Sequence, residues 1–298
     1  MPQRFPTGPE ELAAYKGLEA YRTIQSKYLS SIQNAQWRAI AESFLSLEKP
    51  ETPYAYTPVS QWSFWVSPGS GAHHRHFGGL AVHTLQNLEC AAAWADVYSA
   101  RGIGINRALL LATIIIHDAM KRFIYKFDQD FNFVKVEDPF IAKHEDHHSW
   151  VLRELTARGV DQELLLSVAA IHGIDDVTLD HGVKGMAVVN HYLQIGNTGL
   201  EYTPDDVRPE HVIAFLSDSD WHWSGQAQRK TEVLARQLAP RFAVTPAHLT
   251  VYLGSRFTYE QVGHYVDQHG YEKAAGIVCD LIESGKLSES RSHVGATQ

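Results

Sequence analysis

The chain has 298 residues, 44% of them hydrophobic, and a formal charge of −8 at pH 7. That is enough apolar material for one large helical domain with extensions, and it leaves no broad basic surface of the kind long nucleic acids require. Two cysteines, Cys90 and Cys279, lie far apart with no CxxC spacing, which predicts reduced thiols in a cytoplasmic setting. The first residues hold no apolar core of signal-peptide length. The longest apolar run, 108–116, is far short of the roughly 20 residues that span a bilayer, so a soluble protein is expected.

Apolar periodicity predicts helices over 10–28 and 30–47, and the Pro- and Gly-rich stretch 49–79 reads as an extended loop. Helix resumes over 80–100 and stops at Arg101-Gly102. Residues 107–120 are apolar on nearly every face, the mark of a helix at the centre of a bundle. Alternation between Phe127 and Phe133 predicts a short hairpin within 123–136. Helices return over 144–158, 163–172, 184–194 and 210–221, and about three more fill 226–286, which carries no recognisable site motif. The expected architecture is all-α, with a helical bundle over 73–225. An N-terminal helical extension and loop, 1–72, and a C-terminal helical extension, 226–298, flank it.

The chemistry collects at histidines and aspartates. His117-Asp118 closes the central apolar run, and His83, His144, His172 and Asp218 lie on helical segments to either side. Imidazole nitrogen and carboxylate oxygen suit borderline divalent ions, and a carboxylate beside a histidine can bridge two of them. Leu165, Val168, Ala169 and His172 share one helical stripe, which turns His172 inward. A lone histidine there would be a core residue; the ordered set of His83, His117, Asp118, His144, His172 and Asp218 argues for metal. Two positions stay open. His144, His147 and His148 crowd one turn, with His144 favoured by its neighbour Glu145 and His148 second, and Asp218 competes with Asp220.

Lys121, one turn past Asp118, can bring positive charge to an anionic oxygen or cap its helix as a solvated side chain. His73, His74 and His76, in a glycine-rich loop, and Arg122 are candidates for binding substrate at a pocket mouth. Trp62, Phe64 and Trp65 read as core, and Trp221 and Trp223 as packing.

Five segments taken together resemble the motifs of the HD-domain superfamily of metal-dependent phosphohydrolases. They are Gly78-Gly79-Leu80-Ala81-Val82-His83-Thr84, His117-Asp118-Ala119-Met120-Lys121, Lys143-His144-Glu145, Ala170-Ile171-His172 and Leu216-Ser217-Asp218. The resemblance covers roughly 73–222, with Met120 and Lys143 standing where that family carries glycine. It implies an HD-type bundle holding two divalent transition-metal ions (iron, manganese, cobalt or nickel). One ion would take His83, His117, Asp118 and Asp218, and the other His144, His172 and a shared oxygen of Asp118. The implied reaction is attack of a metal-bound hydroxide on a small anionic phosphomonoester or phosphodiester, such as a nucleotide, with Asp118 and Lys121 as catalytic groups.

Within the superfamily, the segment around His83 is most similar to the branch of HD-type 3′–5′ exoribonucleases and to relaxase-associated HD proteins. Residues 1–60 read as helical and not basic, unlike the OB-type module those exoribonucleases carry, which favours a small substrate over RNA. The alternative is an HD-fold mixed-valent diiron oxygenase acting on a small organic substrate, because that chemistry uses the same ligands. A regulatory scaffold without metal is disfavoured by the cost of burying so many unliganded imidazoles and carboxylates. Oligomeric state is open.

Overall fold

The computed structural model describes residues 5–52, 62–135, 147–172, 183–219 and 221–284. The fold is all-α as expected, apart from one small hairpin. The expected helix over 10–28 is broken into Pro9–Ala13 (α1) and Gly17–Thr23 (α2), followed by a π-helical turn, Ile24–Tyr28, and a 3₁₀ turn, Leu29–Ser31. Close packing explains the break. A Cβ on Gly17 would lie 2.4 Å from the Trp65 carbonyl oxygen and 2.5 Å from the Gly78 Cα, so only glycine lets this chain press against the loop before His83. Asn34 then caps Ala35–Leu45 (α3) by accepting from the backbone N–H groups of Gln36 and Trp37, which starts the helix later than the expected residue 30.

Gly79–Ser99 (α4) and Arg107–Ile116 (α5) form the middle of the molecule. Residues Leu109 to Ile116 are all buried, each Leu or Ile contributing about 1.5–3 kcal/mol by leaving water. Helix α5 ends at Ile116, short of the expected residue 120. The Ala119 N–H donates to the Ile116 carbonyl and the Lys121 N–H to the Asp118 carbonyl, a tighter i→i+3 pattern that carries the chain through His117–Met120 into Lys121–Ile124 (α6). The predicted hairpin is present: Tyr125–Phe127 (β1) pairs antiparallel with Phe133–Lys135 (β2), Phe127 opposite Phe133.

His147–Ala157 (α7), Gln162–Ala170 (α8), Val183–Ile195 (α9) and Pro209–Asp218 (α10) follow, then Trp221–Phe242 (α11), Pro246–Phe257 (α12) and Tyr259–Ser284 (α13), the last interrupted at Gly270 with φ 72°. One apolar core centres on α5, with Phe44, Leu80, Trp150, Leu164 and Ile213 around it. A second joins the two ends of the chain: Phe5 and Leu12 pack with Leu234, Leu253 and Val278, and the Phe5 ring lies 4.8 Å from that of Tyr252. Phe64 is fully buried and Trp62 meets Phe77 edge-on at 5.0 Å, as core residues. Trp223 is not a packing residue; it is 45% exposed, with the Lys230 ammonium over its ring. Cys90 and Cys279 form no disulfide, and no helix among the described residues is long and apolar enough to cross a membrane.

Candidate metal centre

The centre forms where helix ends converge. His83 comes from the first turns of α4, Asp218 ends α10, and His117-Asp118 occupies the turn after α5. One ligand atom from each of His83, His117, Asp118 and Asp218 lies within 4.8 Å of the others. His83 Nε2 stands 3.1 Å from Asp118 Oδ2 and 3.0 Å from Asp218 Oδ1. His117 Nδ1 donates to the Ile114 carbonyl at 2.8 Å; a carbonyl only accepts, so the proton sits on Nδ1 and the bare Nε2 faces the aspartates at 3.4 Å. That Nε2 is buried with no hydrogen bond among the described residues, as a metal-binding nitrogen would be.

A second group, His147, His148 and His172, meets the other side of Asp118. His147 Nε2 lies 3.1 Å and His172 Nε2 4.0 Å from Asp118 Oδ1, whereas His83, His117 and Lys121 all approach Oδ2. The two oxygens of one carboxylate therefore face two histidine groups. His172 also lies 3.3 Å from Asp218 Oδ2; it stands two residues past the end of α8, beyond the helix that was to carry it.

His144, the favoured third histidine, and Asp220 lie outside the described residues. Of the described histidines in that turn, His147 lies against Asp118, and His148 packs on His172 with ring centroids 3.5 Å apart. Asn87 was not anticipated. It donates to Asp218 Oδ1 at 3.0 Å and lies 3.2 Å from His83 Nε2, and its place one turn after His83 is a readable i, i+4 signal.

Lys121 is 5% exposed and its ammonium donates to Asp118 Oδ2, which rules out the solvated helix cap. It lines a shallow cavity of about 260 Å³ that opens onto the centre between Ser70, His73, Tyr125 and His172. His73 reaches that mouth. His74 is wholly buried behind it. His76 and Arg122 do not reach the mouth. The His76 Nδ1 bonds the Phe77 carbonyl and its ring packs edge-on against Tyr259, while Arg122 donates to the Trp62 carbonyl and lies over Phe123. A larger cavity, near Lys16, Val82, Trp223 and Glu260, holds none of these ligands.

Electrostatics divide the two groups. Burial opposes ionisation of Asp118, but His117, Lys121, His147 and His83 outweigh it and hold the carboxyl well below its usual range. Asp218 is held low in the same way, by His117, His172 and His83 against burial. Burial pulls His83 down, yet hydrogen bonds to Asp118 and Asp218 carry it up to about 9. In the second group burial wins: His147 falls to about 3, His148 falls well below its ordinary value, and His172 is lowered. Without metal, the centre thus keeps Asp118 and Asp218 ionised, a proton on His83 and neutral imidazoles on its far side.

The donor set fits divalent ions that accept both nitrogen and oxygen ligands. Fold and site together define an all-α protein with a buried, histidine-rich centre built around two carboxylates. A curated relative, the dihydroneopterin 2′,3′-cyclic phosphate phosphodiesterase of Methanocaldococcus jannaschii, is 31% identical to this chain over 121 residues, 40% of the chain and 46% of that enzyme. The match thus spans less than half of the relative's length. The buried His/Asp groups could hold metal ions. No family model and no solved structure matches the chain.

Proposed function

We propose that the chain is an HD-type metal-dependent hydrolase that cleaves a small phosphodiester, with a cyclic phosphate as the leading substrate class. The observation that carries this reading is Asp118, whose two oxygens face separate histidine groups, the arrangement of a carboxylate shared by two ions. His83, His117, Asp118 and Asp218 would hold one ion, and His147, His148 and His172 with the other Asp118 oxygen the second. When bound, such ions supply Lewis acidity and water of lowered pKa.

The chain's own groups do the positioning. Asn87 holds Asp218, the Ile114 carbonyl orients His117, and Lys121 offers its ammonium to a phosphoryl oxygen entering from the mouth. A cavity of about 260 Å³ suits one phosphate and part of its alcohol, and the net charge of −8 disfavours long nucleic acid. The relative's action on a 2′,3′-cyclic phosphate supports the cyclic class.

The test loads the protein with manganese or cobalt and offers 2′,3′-cyclic nucleotides, an aryl phosphodiester and an aryl phosphomonoester, in air and under argon. Hydrolysis that is equal in both atmospheres is expected. Inert manganese and cobalt forms, alongside an iron form that consumes dioxygen with organic substrates, would establish the oxygenase instead.

A further inference from the structure

We propose that His73, His74 and His83 form a further divalent-metal site, contiguous with the centre already described and suited to an imidazole-preferring ion such as zinc, cobalt, nickel or copper. One ligand atom from each residue lies within 4.8 Å of the others, and all three are buried. The rings meet tilted or edge-on, with centroids 5.0 Å apart for His73 and His83 and 5.3 Å for the other two pairs. His73 Nδ1 and His83 Nδ1 are buried with no hydrogen-bond partner among the described residues, which is costly for nitrogens that end up with nothing to bind.

The loop is built to hold this geometry. His74 stands at φ 50°, a left-handed conformation that a histidine adopts only when its surroundings impose it. The backbone N–H groups of Gly69 and His76 both donate to the His74 carbonyl, at 3.0 and 2.9 Å. A Cβ on Gly79 would lie 1.9 Å from that carbonyl oxygen, and one on Gly69 would lie 2.8 Å from the His74 Cβ, so both glycines are needed to clamp the loop onto α4.

Behind the ring, Glu260 from α13 places Oε1 3.9 Å from His74 Nδ1. A carboxylate on that side draws the proton to Nδ1 and leaves Nε2 for a metal. Substrate contact is no substitute explanation, because His74 and His83 have no exposed surface and only His73 reaches the mouth. Since His83 Nε2 faces Asp118 and Asp218, its Nδ1 is the nitrogen left for the further ion. With an ion on each side, the ring becomes an imidazolate, and both of the imidazolium's N–H protons pass to the buffer.

The site requires only that these imidazoles bind metal, whatever reaction the centre catalyses. It is tested by titrating the metal-free protein with cobalt(II), removing excess, and measuring bound cobalt by elemental analysis, without substrate. His73→Ala/His74→Ala should bind one cobalt fewer than wild type, and His148→Ala/His172→Ala should lose a different equivalent, so that combining the two pairs removes both. Glu260→Gln, a change at a partly exposed side chain, should weaken one class of cobalt by about 10- to 100-fold. Unchanged stoichiometry in His73→Ala/His74→Ala overturns the site. If that variant fails to fold, a Glu260→Gln titration that superimposes on wild type overturns it as well.

Discussion

Lys121→Met separates a catalytic lysine from one that only balances charge. The ammonium is buried at the cavity mouth and bonded to Asp118 Oδ2, so it sits where a phosphoryl oxygen would enter. Two unit charges about 4 Å apart attract by about 4 kcal/mol at an effective dielectric near 20. Asp118 claims part of this field. That leaves about 2.7 kcal/mol for the substrate, or about 10²-fold in kcat/KM. The assay pairs steady-state kinetics with metal content, and Lys121→Arg should recover part of the loss because it keeps the charge. Stability of the metal-free protein adds a second readout. Leaving Asp118 without this partner should destabilise the fold by up to about 3–5 kcal/mol, a gap that metal loading should narrow. Wild-type kcat/KM in a fully metallated Lys121→Met protein would refute the catalytic role and leave only charge balance.

Asp118→Ala should cost metal from both of the groups that meet its two oxygens, and elemental analysis showing full retention of either would refute the shared carboxylate. His147→Ala and His148→Ala should weaken the second ion and spare the first; if His144→Ala empties that position while both of these leave it filled, the third-histidine assignment moves to His144. The pH dependence has a definite sign. His83 titrates near 9 in the metal-free protein, so below that pH a metal must displace its proton, and log affinity at the first group should rise by about one per pH unit and flatten above about 9. The same raised pKa stabilises the metal-free fold fully below about 6.5 and is lost as pH climbs through about 9, so the stabilisation on adding metal should widen across that window. Affinity that levels off near 6.5 would contradict it.

How far this centre could be read from the sequence depended on how much the local pattern says about side-chain direction. His83, His117, Asp118, His172 and Asp218 stand in or just beyond apolar helices, where periodicity fixes the inward face, and the structure brings all five together. Asn87 was legible by the same rule, one turn after His83. The loop histidines were not, since a glycine-rich loop has no fixed period. The left-handed turn at His74 alters where its neighbours point, so His73 reaches the mouth while His76 turns toward Tyr259. Arg122 follows Lys121 directly, and on a helix adjacent residues diverge, which sends it to the Trp62 carbonyl. Lys121 reads alike whether solvated or buried, because its burial depends on the hairpin and on α7. Glu260 was out of reach: nothing near it in sequence shows that α13 packs behind His74.

The charge arrangement bears on which chemistry such a centre favours. In the metal-free state, the anionic charge of Asp118 and Asp218 is met by Lys121 and by the proton on His83. Two divalent ions would expel that proton and bring more positive charge than the two carboxylates cancel. The loaded centre would then carry net positive charge beneath a shallow mouth of about 260 Å³ and attract an anion. A phosphate ester would be drawn by that field and could release Lys121 from Asp118 by offering it a competing oxygen. A neutral organic molecule gains nothing from it and would have to enter past a buried ammonium. On the proposed function, Lys121 at the mouth would be the feature that tilts one shared set of metal ligands toward phosphate chemistry and away from dioxygen.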